Sequence, residues 1–258
     1  MLTKNHIKLI NSLQLKKHRE EHGLFVAEGV KIVNELLNSN IRVKTIFIAD
    51  DPSGQIPLRG KQKPEIIEVS EAELKKISSL STPNRILAVA ETPKYDIKKE
   101  DLVSQLSIVL DDIQDPGNVG TIIRIADWFG IKNIICSENS ADAFNPKVVQ
   151  ATMGSIARVK IHYANLLGFL EGWKSEAGSG KLKVYGTLLK GKNIYKENLS
   201  DKGFIILGNE SKGISDKLFP HITDKIVIPS FAGNTGAESL NVAVAAAIIC
   251  SEFKRCRS

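Results

Sequence analysis

From residue 105 onward, the chain alternates short aliphatic runs with segments of helical periodicity. Each run has the length of a strand, and each intervening segment spaces its apolar residues as an amphipathic helix does. Strands separated by helices pair in parallel, because the helix returns the chain to the starting end of the sheet. The alternation therefore predicts an α/β domain with a parallel sheet. Its predicted strands cover residues 108–110, 133–136, 159–161, 184–187, 204–207 and 226–228, and its predicted helices cover residues 119–129, 145–152 and 239–253.

The segment before residue 96 predicts a second, smaller α/β unit. Ser70, followed three positions later by Glu73, matches a capping box that opens a short helix. A polar stretch over residues 91–101, which contains Pro93, is typical of a linker between domains. The predicted division is an N-terminal domain over residues 1–95, a linker over 96–104 and a C-terminal domain over 105–258. The other predicted N-terminal elements are helices over residues 3–17 and 28–37 and strands over residues 43–49 and 86–90.

The composition narrows the class of protein. No part of the 258-residue chain approaches the roughly 20 consecutive apolar residues that a membrane span needs, and the N-terminus mixes charged and aliphatic residues. The three cysteines, Cys136, Cys250 and Cys256, form no C-x-x-C pair, which argues against a thiolate zinc site or a disulfide framework. We therefore expect a cytoplasmic protein with reduced cysteines, no metal and no membrane partner.

Three loops that follow predicted strands carry residues suited to a binding site. Ligands of an open parallel sheet bind outside the carboxyl ends of its strands. In the first loop, over residues 111–120, Pro116 and Gly117 favour a turn. Asn118 can cap the helix that follows, and this helix carries Arg124. The alternative is a plain capped turn followed by a surface arginine.

The second loop runs from Gly208 to Gly213 and has the G-x-x-x-x-G spacing of a phosphate-binding loop. A Walker A loop needs Lys-Ser or Lys-Thr after the second glycine, whereas this chain has Ile214 and Ser215 there. No G-x-G-x-x-G sequence follows a predicted strand either, which argues against a dinucleotide site. What remains is a glycine turn that can approach a ligand closely and presents the carboxylate of Glu210.

The third loop begins at Ile228 and Pro229 and leads to a helix rich in alanine. Ser239 and Asn241 are predicted to lie on the first turn of that helix. The small side chains that follow permit close packing against a sheet or a second subunit. A serine cap before a buried helix is the structural alternative.

Together the three loops resemble the ordered motifs of the SpoU (TrmH-like) family of RNA 2′-O-methyltransferases, in the SPOUT superfamily. The resemblance rests on Asn118-x-Gly120-x-x-x-Arg124, on Leu207-Gly208-x-Glu210-x-x-Gly213, and on Ile228-Pro229 followed by Ser239-Leu240-Asn241-Val242. It covers residues 107–258. The N-terminal part looks more loosely like the L30e-like substrate-binding domain of many relatives, through Lys8 to Leu15, Arg19 and Phe25-Val26-x-Glu28-Gly29.

The resemblance implies a SPOUT catalytic domain with a deep trefoil knot and a homodimer formed through that domain. It implies S-adenosylmethionine as the methyl donor and an RNA ribose 2′-hydroxyl as the acceptor, with rRNA favoured over tRNA. The implied catalytic residues are Arg124, Asn118, Glu210, Ser239 and Asn241, and the implied cofactor contacts are Thr187, Leu188, Gly208, Ile228 and Leu240.

Methyl transfer from a sulfonium needs no metal, but the methyl group and the hydroxyl must be aligned and a proton removed. A guanidinium group normally keeps its own proton. We therefore expect Arg124 to anchor the target phosphate and polarise the hydroxyl, or to act as a base only in the presence of that phosphate.

The basic charge of the chain is consistent with RNA as a partner. The formal net charge is +6, and residues 1–95 carry 15 Lys and Arg against 11 Asp and Glu. Clustered cations favour phosphate contacts, although a solvated helix end is an equal alternative. Arg85 stands where relatives commonly have a glycine, so the shape of that RNA-facing turn stays open. The candidate RNA contacts are Lys16, Lys17, Arg19 and Lys31.

Other functions remain open within the same fold. The chain could be a tRNA enzyme, a catalytically silent RNA-binding scaffold, or a SPOUT enzyme that methylates a base nitrogen. The intact set of polar motif residues counts against the scaffold, and the SpoU order of the motifs counts against base methylation.

Overall fold

The computed structural model describes residues 1–49, 58, 60–175, 179, 182–232 and 238–255. The chain forms two compact units, of which the first comprises Met1–Lys94 and Asp142–Arg158 and the second comprises Tyr95–Ala141 and Val159–Ser258. The predicted linear division places Asp142–Arg158 in the C-terminal domain, whereas the structure groups this segment with the first unit. None of the described helices is long and apolar enough to cross a membrane.

The helices and strands are labelled in chain order. The chain begins with α1 (Lys4–Ser12), α2 (Lys16–His22), β1 (Leu24–Glu28), α3 (Val30–Leu37), β2 (Val43–Ala49), β3 (Glu65–Val69), α4 (Glu71–Lys75) and β4 (Ile86–Glu91). It continues with α5 (Lys99–Val103), β5 (Leu106–Asp111), α6 (Pro116–Trp128), β6 (Asn133–Cys136), α7 (Pro146–Thr152), β7 (Lys160–Tyr163), α8 (Leu166–Glu171), β8 (Lys183–Asn193), β9 (Gly203–Gly208), β10 (Asp224–Val227) and α9 (Val242–Arg255). Short 3-10 helices lie at Ser155–Ala157, Ile194–Lys196 and Asp216–His221.

The first unit is built on a mixed sheet of four strands in the order β1-β4-β2-β3. Strands β1 and β2 are antiparallel to β4, and β3 is parallel to β2. Strand β2 occupies the predicted residues. The sequence does not predict β1, which is buried along its whole length and lacks the polar alternation of a half-exposed strand. It also does not predict β3, in which two of five residues are glutamates.

The single helix predicted over residues 3–17 is divided into α1 and α2 by a buried arginine. The guanidinium of Arg19 donates from Nη1 to the carbonyl oxygens of Leu13 at 2.7 Å and Gln14 at 2.9 Å. These carbonyls lie just beyond α1, where a helix end leaves acceptors unsatisfied. Nε and Nη2 of Arg19 donate to Oδ2 of Asp142 at 2.9 and 2.6 Å. This ion pair fixes both the turn and the segment that begins at Asp142.

The second unit is built on a parallel sheet of six strands in the order β10-β8-β9-β5-β6-β7, which confirms the predicted parallel sheet. Strands β5 and β9 lie side by side in its interior and are buried over nearly all of their length. Their register pairs Asp111 with Gly208, so the loops after these two strands start next to each other. The predicted linker contains α5, whose Leu102 is buried.

Strand β8 carries an excursion beside β10. Lys225 of β10 pairs with Gly186 of β8, and the next residue, Ile226, pairs with Lys192. Residues 187–191 of β8 form the excursion and pair with no residue of β10. Thr187 Oγ1 donates to the carbonyl oxygen of Ile206 at 2.9 Å, which fastens the start of this excursion to β9. The excursion therefore has a fixed origin at the carboxyl edge of the sheet.

Helix α6 begins earlier than predicted and has a different cap. Pro116 is its first residue, and the side chain of Asp115 accepts a hydrogen bond from the backbone N of Asn118 at 2.7 Å. Asp115 thus takes the N-cap position that the sequence predicts for Asn118. Because Asn118 does not cap the helix, its side-chain amide is available for other contacts.

Helix α9 begins later than predicted. Its first residue is Val242, and Oδ1 of Asn241 accepts hydrogen bonds from the backbone N–H groups of Ala243 at 2.9 Å and Val244 at 3.3 Å. Asn241 therefore acts as the N-cap, and Ser239 precedes the helix. Residues 233–237 of the third loop lie outside the described residues.

Candidate functional site

The first and second loops are joined at the ends of β5 and β9. Asn209 Nδ2 donates to the carbonyl oxygen of Asp112 at 2.8 Å. The buried carboxylate of Asp111 accepts a hydrogen bond from the backbone N of Ser215 at 2.6 Å. Neither Asp111 nor Asn209 is among the residues predicted from the sequence motifs. Both residues lie at the ends of predicted parallel strands, and this position could have identified them, because ligands bind there.

Asn118 connects all three loops through its side-chain amide. Its Nδ2 donates to Oε1 of Glu210 at 2.7 Å, and its Oδ1 accepts from Nδ2 of Asn241 at 3.0 Å. Asn118 belongs to the first loop, Glu210 to the second and Asn241 to the third. One half-buried side chain thus unites segments that are far apart in the sequence, while Glu210 and Asn241 stay exposed.

The N-terminus of α9 determines the direction of these hydrogen bonds. Its backbone N–H groups require an acceptor, so Oδ1 of Asn241 faces the helix and the NH2 group of Asn241 points outward. Oδ1 of Asn118 then accepts from Asn241, and the NH2 group of Asn118 is directed at Glu210. The orientation of each amide is thus determined by its neighbour, and the series ends on a carboxylate that accepts a charge-assisted hydrogen bond.

Two of the predicted catalytic residues lie outside this cluster. Arg124 lies six residues beyond Asn118 on α6, which corresponds to a rotation of about 240° around the helix axis. It is exposed, as is Trp128 one turn further on. Within the described ranges, neither Arg124 nor the exposed Ser239 has a hydrogen-bonding or ionic partner. The guanidinium and this hydroxyl are therefore available to a ligand.

Four of the predicted cofactor contacts lie in or directly after β8, β9 and β10, which are neighbours in the sheet, and the fifth, Leu240, lies in the third loop two residues before α9. Gly208 ends β9, and a Cβ atom there would lie 2.3 Å from the backbone of the following glycine turn, so no side chain fits. Thr187 and Leu188 belong to the β8 excursion and are half-buried, as is Ile228 just after β10. Leu240 is 49% exposed. These positions offer apolar side chains, together with the backbone groups of the β8 excursion and of the glycine turn, to a ligand.

The predicted RNA contacts differ in their accessibility. Arg19 is only 3% exposed and its guanidinium is bonded to Asp142 and to backbone carbonyls, so the prediction that it contacts RNA is wrong. Lys16 forms a surface ion pair with Glu20 at 3.7 Å. Lys17 and Lys31 are exposed and have no ionic partner in the described part of the chain. These two lysines keep an accessible charge.

The cysteines take no part in the site. Cys136 and Cys250 are buried free thiols, and burial raises the pKa of each to about 12. Both are therefore protonated, and Cys256 lies outside the described residues.

A model of the SpoU rRNA methylase family matches residues 105–251. This match covers more than half of the chain. The chain belongs to the SpoU methylase family. A second model, of an MRM3-like substrate-binding domain, matches residues 4–88. Family membership confirms the resemblance drawn from the three SpoU motifs.

Individual SpoU relatives match over nearly the whole chain. The 23S rRNA (guanosine(2553)-2′-O)-methyltransferase RlmP of Bacillus subtilis is 34% identical over 238 residues, which is 92% of this chain and 91% of that protein. A Porphyromonas gingivalis protein assigned to the TrmH family has a TM-score of 0.86 at 37% identity, with 99% of both chains covered. The AdoMet-bound rRNA methyltransferase of Sinorhizobium meliloti has a TM-score of 0.82 at 30% identity, with 100% of this chain and 97% of that chain covered. These likenesses confirm the predicted α/β fold class.

Proposed function

We propose that this SpoU chain transfers a methyl group from S-adenosylmethionine to a ribose 2′-hydroxyl of rRNA. The observation that carries the proposal is the Asn118 amide, which joins the three SpoU motifs in one polar cluster. RlmP is named as a 2′-O-methyltransferase of 23S rRNA, and the S. meliloti relative binds AdoMet. The position of the cluster, at the carboxyl edge of a parallel sheet, is where such folds bind ligands.

The predicted cofactor contacts in β8, after β10 and in the third loop fit this methyl donor. Leu188, Ile228 and Leu240 offer accessible apolar surface for an adenosine group. The β8 excursion and the glycine turn after Gly208 bring backbone donors and acceptors to the same edge. When bound, the donor supplies an electrophilic methyl group on a positively charged sulfur. Apolar side chains around it suit a transfer in which that charge is lost.

Arg124 is the residue that we assign to the reacting ribose. Its exposed guanidinium can bind the phosphate of the target nucleotide through two parallel hydrogen bonds. A bound phosphate would place the 2′-hydroxyl beside the guanidinium, which polarises the hydroxyl and stabilises the negative charge that develops on its oxygen. Arg124 acts as a base only if the bound phosphate changes its proton affinity.

The remaining motif residues position the substrate. Asn118 and Asn241 hold the first and third loops together, and the exposed Glu210 has a second carboxylate oxygen that can accept a hydrogen bond from a nucleotide. Ser239 lies just before the Asn241 cap, with a hydroxyl that can contact the ribose.

The second unit also carries a surface suited to a homodimer. Helices α6 and α9 pack against each other and expose Trp128 at 85% and Val244 at 50%. A tryptophan this exposed is typical of an interface, and the alanines of α9 permit close approach of another helix. A second copy of the chain is the occupant that we propose, and Arg124 would lie at that interface. The trefoil knot and the cytoplasmic location are proposed from family membership.

Capture of RNA is assigned in part to the first unit. Lys17 and Lys31 are the proposed phosphate contacts, with Lys16 as a weaker third because it shares its charge with Glu20. Removal of one phosphate-binding lysine should reduce the slope of log affinity against log salt concentration by about 0.7 to 0.9. Lys17→Gln and Lys31→Gln test this assignment in a salt titration of rRNA binding.

The proposed reaction is tested with rRNA that lacks 2′-O-methylation and S-adenosylmethionine labelled in its methyl group. Nuclease digestion and mass spectrometry should find the label on the ribose of one nucleotide. Label on a base would favour the base-methylating alternative. Absence of transfer, together with absence of S-adenosylmethionine binding by calorimetry, would favour the RNA-binding scaffold.

A further inference from the structure

Helix α2 presents two imidazoles and a carboxylate on one accessible face. His18, Glu21 and His22 follow the i, i+3, i+4 spacing that brings side chains together on a helix. One ligand atom from each lies within 4.8 Å of the others. The two rings are stacked, with centroids 6.3 Å apart and an interplanar angle of 26°. None of these residues belongs to the SpoU motifs.

These distances are close to those of a metal site. Zinc binds histidine nitrogen and carboxylate oxygen at about 2.0 to 2.2 Å, so tetrahedral ligand atoms lie roughly 3.3 Å apart. His18 Nδ1 and Glu21 Oε2 are already 3.1 Å apart. Only His22 must move closer, and its exposed side chain can do so by a change of rotamer. No displacement of the backbone is needed.

The helix that carries the three ligands is held rigidly. Arg19 lies between His18 and the other two ligands in sequence, and its buried guanidinium ties α2 to Asp142 and to the end of α1. Gly23, with a left-handed φ of 62°, ends the helix directly after His22. A ligand set on a fixed backbone loses less conformational entropy when it binds an ion.

We propose that His18, Glu21 and His22 form a surface site for one divalent transition-metal ion. Two imidazoles and one carboxylate form a ligand set that zinc accepts, and they disfavour calcium and magnesium, which prefer oxygen ligands. Three protein ligands leave at least one coordination position for water or an anionic oxygen. The site is separate from methyl transfer, which needs no metal.

The test is calorimetric titration of the full chain with Zn²⁺ after treatment with a chelator. Saturable binding of one ion at this site is expected. His18→Ala and His22→Ala should each weaken it at least tenfold, and Glu21→Gln should weaken it less because an oxygen ligand remains. His221→Ala is the matched control, since His221 lies in a 3-10 helix of the second unit, and should leave binding unchanged.

Two outcomes would overturn the proposal. One is the absence of saturable Zn²⁺ binding by the unmodified chain. The other is unchanged Zn²⁺ affinity in the His18→Ala, His22→Ala double variant, which would place the ion elsewhere. Circular dichroism of each variant checks that α2 and the rest of the chain stay folded. A visible spectrum of the Co²⁺ form, compared between unmodified chain and double variant, reports nitrogen coordination independently of affinity.

Discussion

Asn241 donates a hydrogen bond to Asn118 at 3.0 Å, and through this contact the N-terminus of α9 determines which group Asn118 turns toward Glu210. The negative charge of Glu210 is accommodated because the NH2 group of Asn118 donates a hydrogen bond to its carboxylate. A carboxylate in place of the Asn118 amide would replace this attractive hydrogen bond with repulsion between two negative charges.

We expect Asn118→Asp to lower methyl transfer more than Asn118→Ala. The aspartate would place a like charge at hydrogen-bonding distance from Glu210, whereas alanine only removes two hydrogen bonds. Steady-state kinetics across pH should show partial recovery of Asn118→Asp at acidic pH, where one carboxyl group is protonated. Equal activity of the two variants at every pH would contradict the role given to the amide.

Arg124→Ala should keep S-adenosylmethionine binding and lose transfer by about 10²-fold or more, the usual scale for a group that stabilises charge in the transition state. Calorimetry measures the binding and radiolabel transfer to rRNA measures the rate. Lys132→Ala removes another exposed cation of the same unit and should retain activity. Full activity of Arg124→Ala would exclude Arg124 from catalysis.

Arg19→Ala should destabilise the first unit by about 3 to 5 kcal/mol, the scale for leaving one member of a buried ion pair unpaired. Oδ2 of Asp142 would lose the guanidinium and keep only the hydrogen bond that Oδ1 accepts from the backbone N of Phe144, and the carbonyl of Leu13 would lose its side-chain donor. Hydrogen exchange of the β1 amides measures the effect within this unit. Lys17→Ala, an exposed change on the same helix, should alter stability by less than about 0.5 kcal/mol.

Trp128→Glu should convert the proposed homodimer to a monomer, because it places a charge in an apolar interface. Sedimentation velocity measures the change. Ile66→Glu, at an exposed apolar residue of the first unit, is the control and should leave the assembly intact. A monomeric unmodified chain would refute the dimer without affecting the cofactor assignment.

Because of His162, we expect the free energy of unfolding to decrease in mild acid. This histidine is 5% exposed on β7, and burial lowers its pKa below the ordinary value of 6.5. As the pH falls, the imidazole in the unfolded chain binds a proton before the buried imidazole does, which favours unfolding. The stability that the neutral buried His162 provides is therefore fully present above pH 6.5 and is lost progressively below it. Urea unfolding at several pH values should show a smaller decline for His162→Gln. An equal decline in both proteins would assign the effect to other groups.

Sequence periodicity predicts most elements of the second unit, because its strands and helices each carry a complete local pattern. The motifs likewise predict that the first, second and third loops share one edge of the sheet, and the structure joins Asn118, Glu210 and Asn241 there. Local pattern could not predict the role of Arg19, since its partner Asp142 lies 123 residues away. A basic cluster in the sequence does not distinguish a solvated cation from one buried against a distant carboxylate.

Capping residues were the other source of error. Asp115 and Asn118 are both good N-cap residues, and so are Ser239 and Asn241. Which of two nearby candidates caps a helix depends on where the chain leaves the preceding loop, and tertiary contacts decide that. The cap assigned to Asn118 leaves out its hydrogen bond to Glu210, which forms because Asp115 caps the helix instead.

The first unit is assembled from two separate stretches of chain, and Arg19 depends on the second of them. During synthesis a ribosome releases residues 1–94 well before Asp142 emerges, so for that interval the arginine has no carboxylate with which to bury its charge. The N-terminal unit can therefore be completed only after β5, α6 and β6 have been synthesised. A fragment cut at residue 95 would isolate a unit that lacks its last part, Asp142–Arg158.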